Sequence, residues 1–295
     1  MTYSLFLDFP IRKRIIRFLI SFLYFVVLAP PKANANLSDE LAGSNSKRQE
    51  FVVGIGEKRS YRLIIHRIVD QNSLRNGTTF LWITFPSQKV GFRVVEAHFT
   101  GNPKELYERS FSTSNLILIS GGFWRRDERR EQKLPLGLVL TNGSKVSPMV
   151  NWTEGGVLWG DADQNVFISR VANATILPSA VEALQSKPIL VYGGLNDIRK
   201  DSYDHYNRIA VGLSFKGDLV VAALFGASGD GGGSLYEFAE IMSNGAYGGP
   251  KIDRMLALDG GPSAHLYFPT LKLHFGELFG DLYIPNLIQF CFDCE

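Results

Sequence analysis

The run RIAVGLSFKGDLVVAALF, residues 208–225, decides the reading of the fold. Residues 208–215 and 219–225 are apolar and rich in β-branched side chains, which suit a pleated, buried surface. The short turn Lys216-Gly217-Asp218 separates them. A turn that short joins antiparallel strands, because a parallel pair needs a long crossover. The stretch therefore predicts a hairpin, and the rest of the chain is read outward from it.

Toward the C-terminus, residues 226–233 form a loop rich in glycine. Ser234 then caps a predicted helix over residues 235–242, with Glu237 at the capping-box spacing. Met255-Leu256-Ala257-Leu258 reads as a short buried strand that runs into Asp259-Gly260-Gly261-Pro262-Ser263. Leu266-Tyr267-Phe268 resumes the extended pattern.

Toward the N-terminus, residues 188–192 read as a strand that stops at Gly193-Gly194. Residues 178–185 read as a helix, since Val181, Ala183 and Leu184 are apolar and Pro178 suits a first turn. Two further hairpins precede it: residues 157–160 with 166–168 around an acidic turn, and residues 136–140 with Val146 onward around Asn142-Gly143. Residues 125–131 carry charges of both signs and read as a solvated loop. Residues 116–119 form an apolar strand leading into Ser120-Gly121-Gly122-Phe123. Three more strands are expected over residues 62–69, 80–85 and 91–99. Hairpins dominate and helices are few. The expected fold class is α+β: a mostly antiparallel or mixed β-sheet with a few packed helices.

The first 35 residues read as a targeting segment. Arg12, Lys13, Arg14 and Arg17 precede an uncharged apolar run over residues 18–29, and Ala33-Asn34-Ala35 offers a small-residue cleavage site. That is the layout of a secretory signal peptide. The apolar run falls short of the roughly 20 residues a membrane span needs. An uncleaved anchor is the alternative. Residues 36–50 are polar and read as a linker, residues 51–109 as N-terminal strands, residues 110–270 as the main domain and residues 271–295 as a C-terminal extension. The expected location is secreted or periplasmic, with no membrane span after cleavage.

Removing residues 1–35 takes the formal charge from +2 to −2. A nearly neutral mature chain gives no electrostatic case for nucleic acid as a partner. The only cysteines, Cys291 and Cys294, cannot complete a four-thiolate zinc site; they either pair locally or stay free. The five histidines (His66, His98, His205, His265 and His274) lack tight ligand spacing. Asp161-Ala162-Asp163 lacks the spacing of a calcium loop and reads as a turn. No metal and no cofactor are expected.

Asp259-Gly260-Gly261-Pro262-Ser263 is the candidate for chemistry. An acid here meets glycines whose N–H groups can cradle an anion at the end of a strand. The other reading is an ordinary glycine turn with a solvated Asp.

Six landmarks in order carry a resemblance. They are Ser120-Gly121-Gly122-Phe123; Pro135-Leu136-Gly137-Leu138 with Asn142-Gly143; Gln185-Ser186-Lys187-Pro188-Ile189-Leu190-Val191; Asn207-Arg208-Ile209-Ala210-Val211-Gly212; Ser234-Leu235-Tyr236-Glu237-Phe238-Ala239; and Leu258-Asp259-Gly260-Gly261-Pro262-Ser263. Together they resemble the phosphodiester glycosidase domain, the family of the enzyme that uncovers mannose 6-phosphate on lysosomal proteins. Its bacterial relatives are often labelled as exopolysaccharide-associated.

The resemblance implies hydrolysis of a sugar-1-phosphodiester, with a sugar-phosphate or glycan as substrate. A phosphate monoester has a second pKa of about 6 and leaves readily, so strong acid catalysis is less needed than in ordinary glycosidases. The site then needs a cradle for phosphate and a carboxylate for water or the developing oxocarbenium ion. The resemblance implies Arg208 as the phosphate clamp and Asp259 as the carboxylate. A turn-stabilising Asp, or one that orients Arg208, is the other reading of Asp259.

Ser120, Gly121, Gly122, Gln185, Ser186, Lys187, Gly260, Gly261 and Ser263 are the expected substrate- and phosphate-binding residues. Glu237 serves the helix cap or the site. Asp204 and His205 either assist proton transfer or belong to an exposed loop. Three residues depart from the family pattern: Ser120 stands for Asn, Pro262 for a third glycine and Lys187 for a glycine. They motivate a second reading, a glycan-binding or polysaccharide-assembly protein that keeps the fold with altered chemistry.

Overall fold

A computed structural model describes residues 47–55, 59–67, 78–85, 90–96, 115–127, 132–173, 179–199, 204–226, 231–268, 273–276 and 286–292. The chain divides into two units, Met1–Asn45 and Ser46–Glu295, and every described residue lies in the second. The predicted signal peptide, most of the predicted linker, and Cys294 fall outside the described residues; Cys291 is disulfide-bonded.

The predicted hairpin is β15 (Arg208–Ser214) and β16 (Leu219–Phe225), paired antiparallel from Arg208↔Leu224 to Leu213↔Leu219. Every residue of β16 is buried. Leu219, Val221, Ala223 and Phe225 face one core, while Val220, Ala222 and Leu224 face another. Burial on both faces explains why this strand reads as a continuous apolar run.

The hairpin sits inside an eight-stranded sheet. On one side lie β3 (Thr79–Phe85), β2 (Arg59–Arg67) and β1 (Lys47–Ile55). On the other lie β17 (Ile252–Ala257), β13 (Ile189–Tyr192) and β14 (Leu195–Asn196). β1 begins at Lys47, inside the stretch read as a linker.

A five-stranded sheet has the order β11 (Val166–Arg170), β10 (Gly156–Asp161), β12 (Ala180–Ser186), β8 (Val139–Thr141), β9 (Ser144–Ser147). Another has the order β19 (Leu273–Phe275), β18 (Leu266–Phe268), β5 (Asn115–Ser120), β20 (Asn286–Cys291), β4 (Gly91–Glu96). All neighbouring strands in the three sheets pair antiparallel.

One core joins the three sheets through residues such as Ile83, Val211, Leu184 and Ile288. The opposite face of the eight-stranded sheet is covered by α1 (Leu235–Asn244), which buries Phe238, Ala239, Ile241 and Met242. Ser234 and Glu237 form the predicted capping box, and Gly245 ends the helix in the left-handed region at φ 61°. The fold is thus largely antiparallel β with one α-helix among the described residues. No helix among them is long and apolar enough to cross a membrane.

Two local expectations are corrected. The helix read over residues 178–185 gives way to a strand: Ala180–Ser186 is β12, the centre of a sheet, and Pro178 lies outside the described residues. Its Ala, Glu, Leu and Gln favour helix locally. Tertiary partners override that preference, because Ala183 and Leu184 pack into different cores on the two faces of the strand. The charged loop also contains structure, since β6 (Trp124–Asp127) and β7 (Gln132–Pro135) pair as a two-stranded ribbon. Residues 271–295 contribute β19 and β20, and β20 runs between β5 and β4.

Candidate functional site

Antiparallel register builds the site. Ala210 lies opposite Ala257 and Val211 opposite Leu256. Continued two residues further, that register sets Asp259 across from Arg208. Leu258 N–H donates to the Ile209 carbonyl at 3.0 Å, and Gly261 N–H to the Asn207 carbonyl at 2.8 Å, so the strands stay together past the end of β17. A Cβ added to Gly260 would lie 3.8 Å from Arg208 Nη1 and 2.8 Å from the Asn207 carbonyl. The guanidinium and the Asp-Gly-Gly turn therefore share one corner of the molecule.

Arg208 is held from below. Its Nε donates to the Gly233 carbonyl at 3.0 Å and its Nη2 to the Asp204 carbonyl at 2.8 Å. Carbonyls orient a guanidinium without cancelling its charge. Burial pushes its pKa down, and electrostatic attraction to Asp204 and Tyr206 opposes that shift. The exposed Tyr206 ring lies 5.2 Å from the guanidinium.

Asp259 is fixed through its main chain. Its N–H donates to the Gly121 carbonyl at 3.0 Å, and its carbonyl accepts Ser120 Oγ at 3.4 Å. The first glycine pair therefore serves close packing. A Cβ on Gly121 would fall 1.9 Å from Asn286 Oδ1, and one on Gly122 would fall 2.9 Å from the Gln185 carbonyl. Gly121 N–H donates to the Asn286 carbonyl at 3.2 Å, and Gly122 N–H to Asn286 Oδ1 at 2.7 Å.

The second glycine turn is similarly engaged at Gly261 and Ser263. Gly261 takes φ 58°, a conformation that favours glycine, and opens a 3₁₀ turn over Gly261–Ser263. Ser263 N–H donates to the Gly260 carbonyl at 3.1 Å. Pro262 sits in the first turn, where a missing N–H costs no internal bond. The N–H groups of Gly121, Gly122, Gly261 and Ser263 thus all have partners within the protein. His265 lies directly behind, 1 % exposed, with Nδ1 2.9 Å from the Ser263 carbonyl. Burial lowers its pKa to about 4, against the hydrogen bond to the Ser263 carbonyl.

The third group of predicted residues borders this corner. The Gln185 carbonyl abuts Gly122, but its amide turns the other way: Oε1 accepts Leu138 N–H and Val150 N–H at 2.9 Å each, and Nε2 donates to the Val150 carbonyl. Ser186 is buried at the end of β12. Lys187 is exposed, with Nζ 5.2 Å from the centroid of Trp152, which meets Phe123 edge-on at 6.0 Å. The following Pro188 carbonyl accepts Ala257 N–H at 3.0 Å, tying this segment to the strand that leads into Asp259.

Glu237 completes the helix cap and lies 3.4 Å from His205 Nε2. Sequence reasoning missed Asn286, which carries no local signal. It also missed Trp152 and Tyr206, whose placement beside Lys187 and Arg208 depends on loops. Among the described residues, no three His, Cys, Asp or Glu side chains gather as metal ligands.

A cleft of about 110 Å³ lies elsewhere, at the far end of β10 and β12. Arg93, Asn142, Asp161 and Glu182 line it, and none of the candidate residues does. Glu182 Oε2 accepts Val94 N–H and Oε1 accepts Asn142 N–H, both at 2.8 Å. Its carboxylate is a staple between strands. The corner shared by Arg208 and the Asp259-Gly260 turn is therefore the candidate site, apart from this cleft.

Comparisons with known proteins place the fold and the family. No curated protein matches the sequence at a significant level. Among solved structures, the catalytic domain of the zebrafish N-acetylglucosamine-1-phosphodiester alpha-N-acetylglucosaminidase, auto-inhibited by its pro-peptide, is similar with a TM-score of 0.56 and 15% identity, over 90% of this chain and 95% of that one. A putative exported protein from Burkholderia pseudomallei is similar with a TM-score of 0.53 and 9% identity, over 73% of this chain and 74% of that one. At such identities the likeness concerns the fold. The phosphodiester glycosidase family matches residues 114–288, from the strand before Ser120 through Asn286, and the chain belongs to that family.

Proposed function

We propose that the protein hydrolyses a sugar-1-phosphodiester in a glycan, cell-wall polymer or exopolysaccharide outside the cytoplasm. The observation that carries this reading is the register that brings the half-buried Arg208 beside Asp259-Gly260. A guanidinium oriented by carbonyls suits two oxygens of a phosphodiester. Bound there, the phosphate leaves as a monoester when the bond from the anomeric carbon to oxygen breaks. Water supplies the new oxygen on the sugar, and its proton ends on the leaving phosphate or in solvent. Asp259 assists the water or stabilises the developing oxocarbenium ion. His265, neutral well above pH 4, supports the turn that carries Ser263.

A second reading has its own observation. The N–H groups of Gly121, Gly122, Gly261 and Ser263 are engaged within the protein, so the anion contact falls mainly to Arg208. That arrangement also suits a glycan-binding protein with altered chemistry. The test is a panel of sugar-1-phosphodiesters given to demonstrably folded protein, with release of free sugar and phosphate monoester measured together. Stoichiometric release supports hydrolysis. Glycan binding with no release from any member of the panel supports the second reading and overturns the first.

A further inference from the structure

Asn286 is the first residue of β20 and is 1 % exposed. It reaches the candidate site through one intervening residue. Its carbonyl accepts Gly121 N–H, its Oδ1 accepts Gly122 N–H, and the Gly121 carbonyl then accepts Asp259 N–H. The side-chain oxygen sits within 1.9 Å of where a Gly121 Cβ would be, so this approach exists only because residue 121 is glycine. Asn286 thus accepts from the peptides on both sides of Gly121: Ser120–Gly121 at its carbonyl and Gly121–Gly122 at its Oδ1. The carbonyl that receives Asp259 belongs to the second of these, the one its side chain holds.

We propose that Asn286 is a positioning residue of the site, which sets the placement of Asp259 through the Gly121–Gly122 peptide and touches no substrate itself. The 2.7 Å bond from Gly122 is the part of this clamp that a side-chain substitution removes; the bond from Gly121 N–H goes to main chain and remains. Losing one of two bonds leaves the strands paired and lets the peptide tilt. A small displacement of a reacting group is enough to slow chemistry, about 100-fold for an error near 1 Å.

The test compares full-length wild type with Asn286→Leu and Asn286→Asp. Leucine matches the branched shape and has no acceptor; aspartate matches it and keeps one. Hydrogen exchange at the Gly122 and Asp259 amides is measured beside kcat and KM on the sugar-phosphodiester panel. Asn286→Leu is expected to speed exchange at both amides and to lower kcat about 10- to 100-fold with KM nearly unchanged. Asn286→Asp is expected to restore Gly122 protection and most of kcat.

Unchanged exchange at Asp259 in the leucine variant overturns the proposal, as do equal losses in both variants. Asn286→Ala supplies the same comparison if the leucine variant does not fold. The kinetic arm rests on the hydrolase reading. Absence of turnover in wild type counts against that reading alone, and the exchange arm still decides the role of Asn286.

Discussion

Glu182 and Asp259 are both buried carboxylate residues, and β12 leads from the one toward the other. They are held in opposite ways. At Glu182 the side chain holds the main chain: its two oxygens take N–H groups from Val94 and Asn142 and so tie β4 and the β8–β9 turn to β12. At Asp259 the main chain holds the residue, through Gly121, Ser120 and the register with β15, beside the half-buried Arg208. Burial pushes the Glu182 carboxyl pKa up, and the N–H groups of Val94 and Asn142 oppose that shift. An acid at a sheet end can thus hold the main chain or be held by it.

The largest expected effect is at Asp259. Asp259→Asn is expected to lower kcat/KM on a responsive phosphodiester about 1,000-fold while shifting Tm little. A large loss of Tm with activity retained would make Asp259 a second staple and remove the contrast with Glu182. Arg208→Lys keeps the charge and loses the fork. It is expected to lower kcat/KM about 100-fold, with weaker binding of inorganic phosphate. Equal activity of Arg208→Lys and wild type would remove bidentate phosphate recognition from the mechanism.

His265 extends the comparison to pH. Its pKa in the folded protein, about 4, lies below its ordinary unfolded value, so the unfolded state binds the proton first as pH falls. Stability is therefore full above pH ~6.5 and declines as pH drops toward about 4, by about 3 kcal/mol in total from this group. Denaturant unfolding of wild type and His265→Gln across that window checks this, and the variant should show the shallower slope.

The smallest effect belongs to the staple. Glu182→Gln keeps one acceptor and turns an N–H₂ toward a donor. It is expected to cost about 1–3 kcal/mol of stability with kcat/KM nearly unchanged. Loss of kcat/KM in folded Glu182→Gln would instead draw the far cleft into function.

The central hairpin was legible because β16 is apolar on both faces and follows a short polar turn. The helix was legible because Ser234 and Glu237 cap it locally. β12 was misread for the converse reason: its polar residues find their partners far along the chain, Glu182 at Val94 and Gln185 at Leu138 and Val150. The charges of residues 125–131 likewise concealed a ribbon whose stability comes from pairing with residues 132–135.

What the sequence determined by itself was therefore local: strand runs, turns, caps, and the ordered motifs that carry the family. These depend on neighbours a few residues apart, whose chemistry is written side by side. Tertiary structure decided the rest. It assigned the two glycine pairs to packing and turn geometry, with the N–H groups of Gly121, Gly122 and Gly261 engaged inside the protein, and it brought Asn286 to the Gly121–Gly122 peptide. The physical reason is that a hydrogen-bond donor in a loop is committed by whichever strand the sheet order sets beside it. That order is fixed by cores shared among sheets, not by any short stretch of chain.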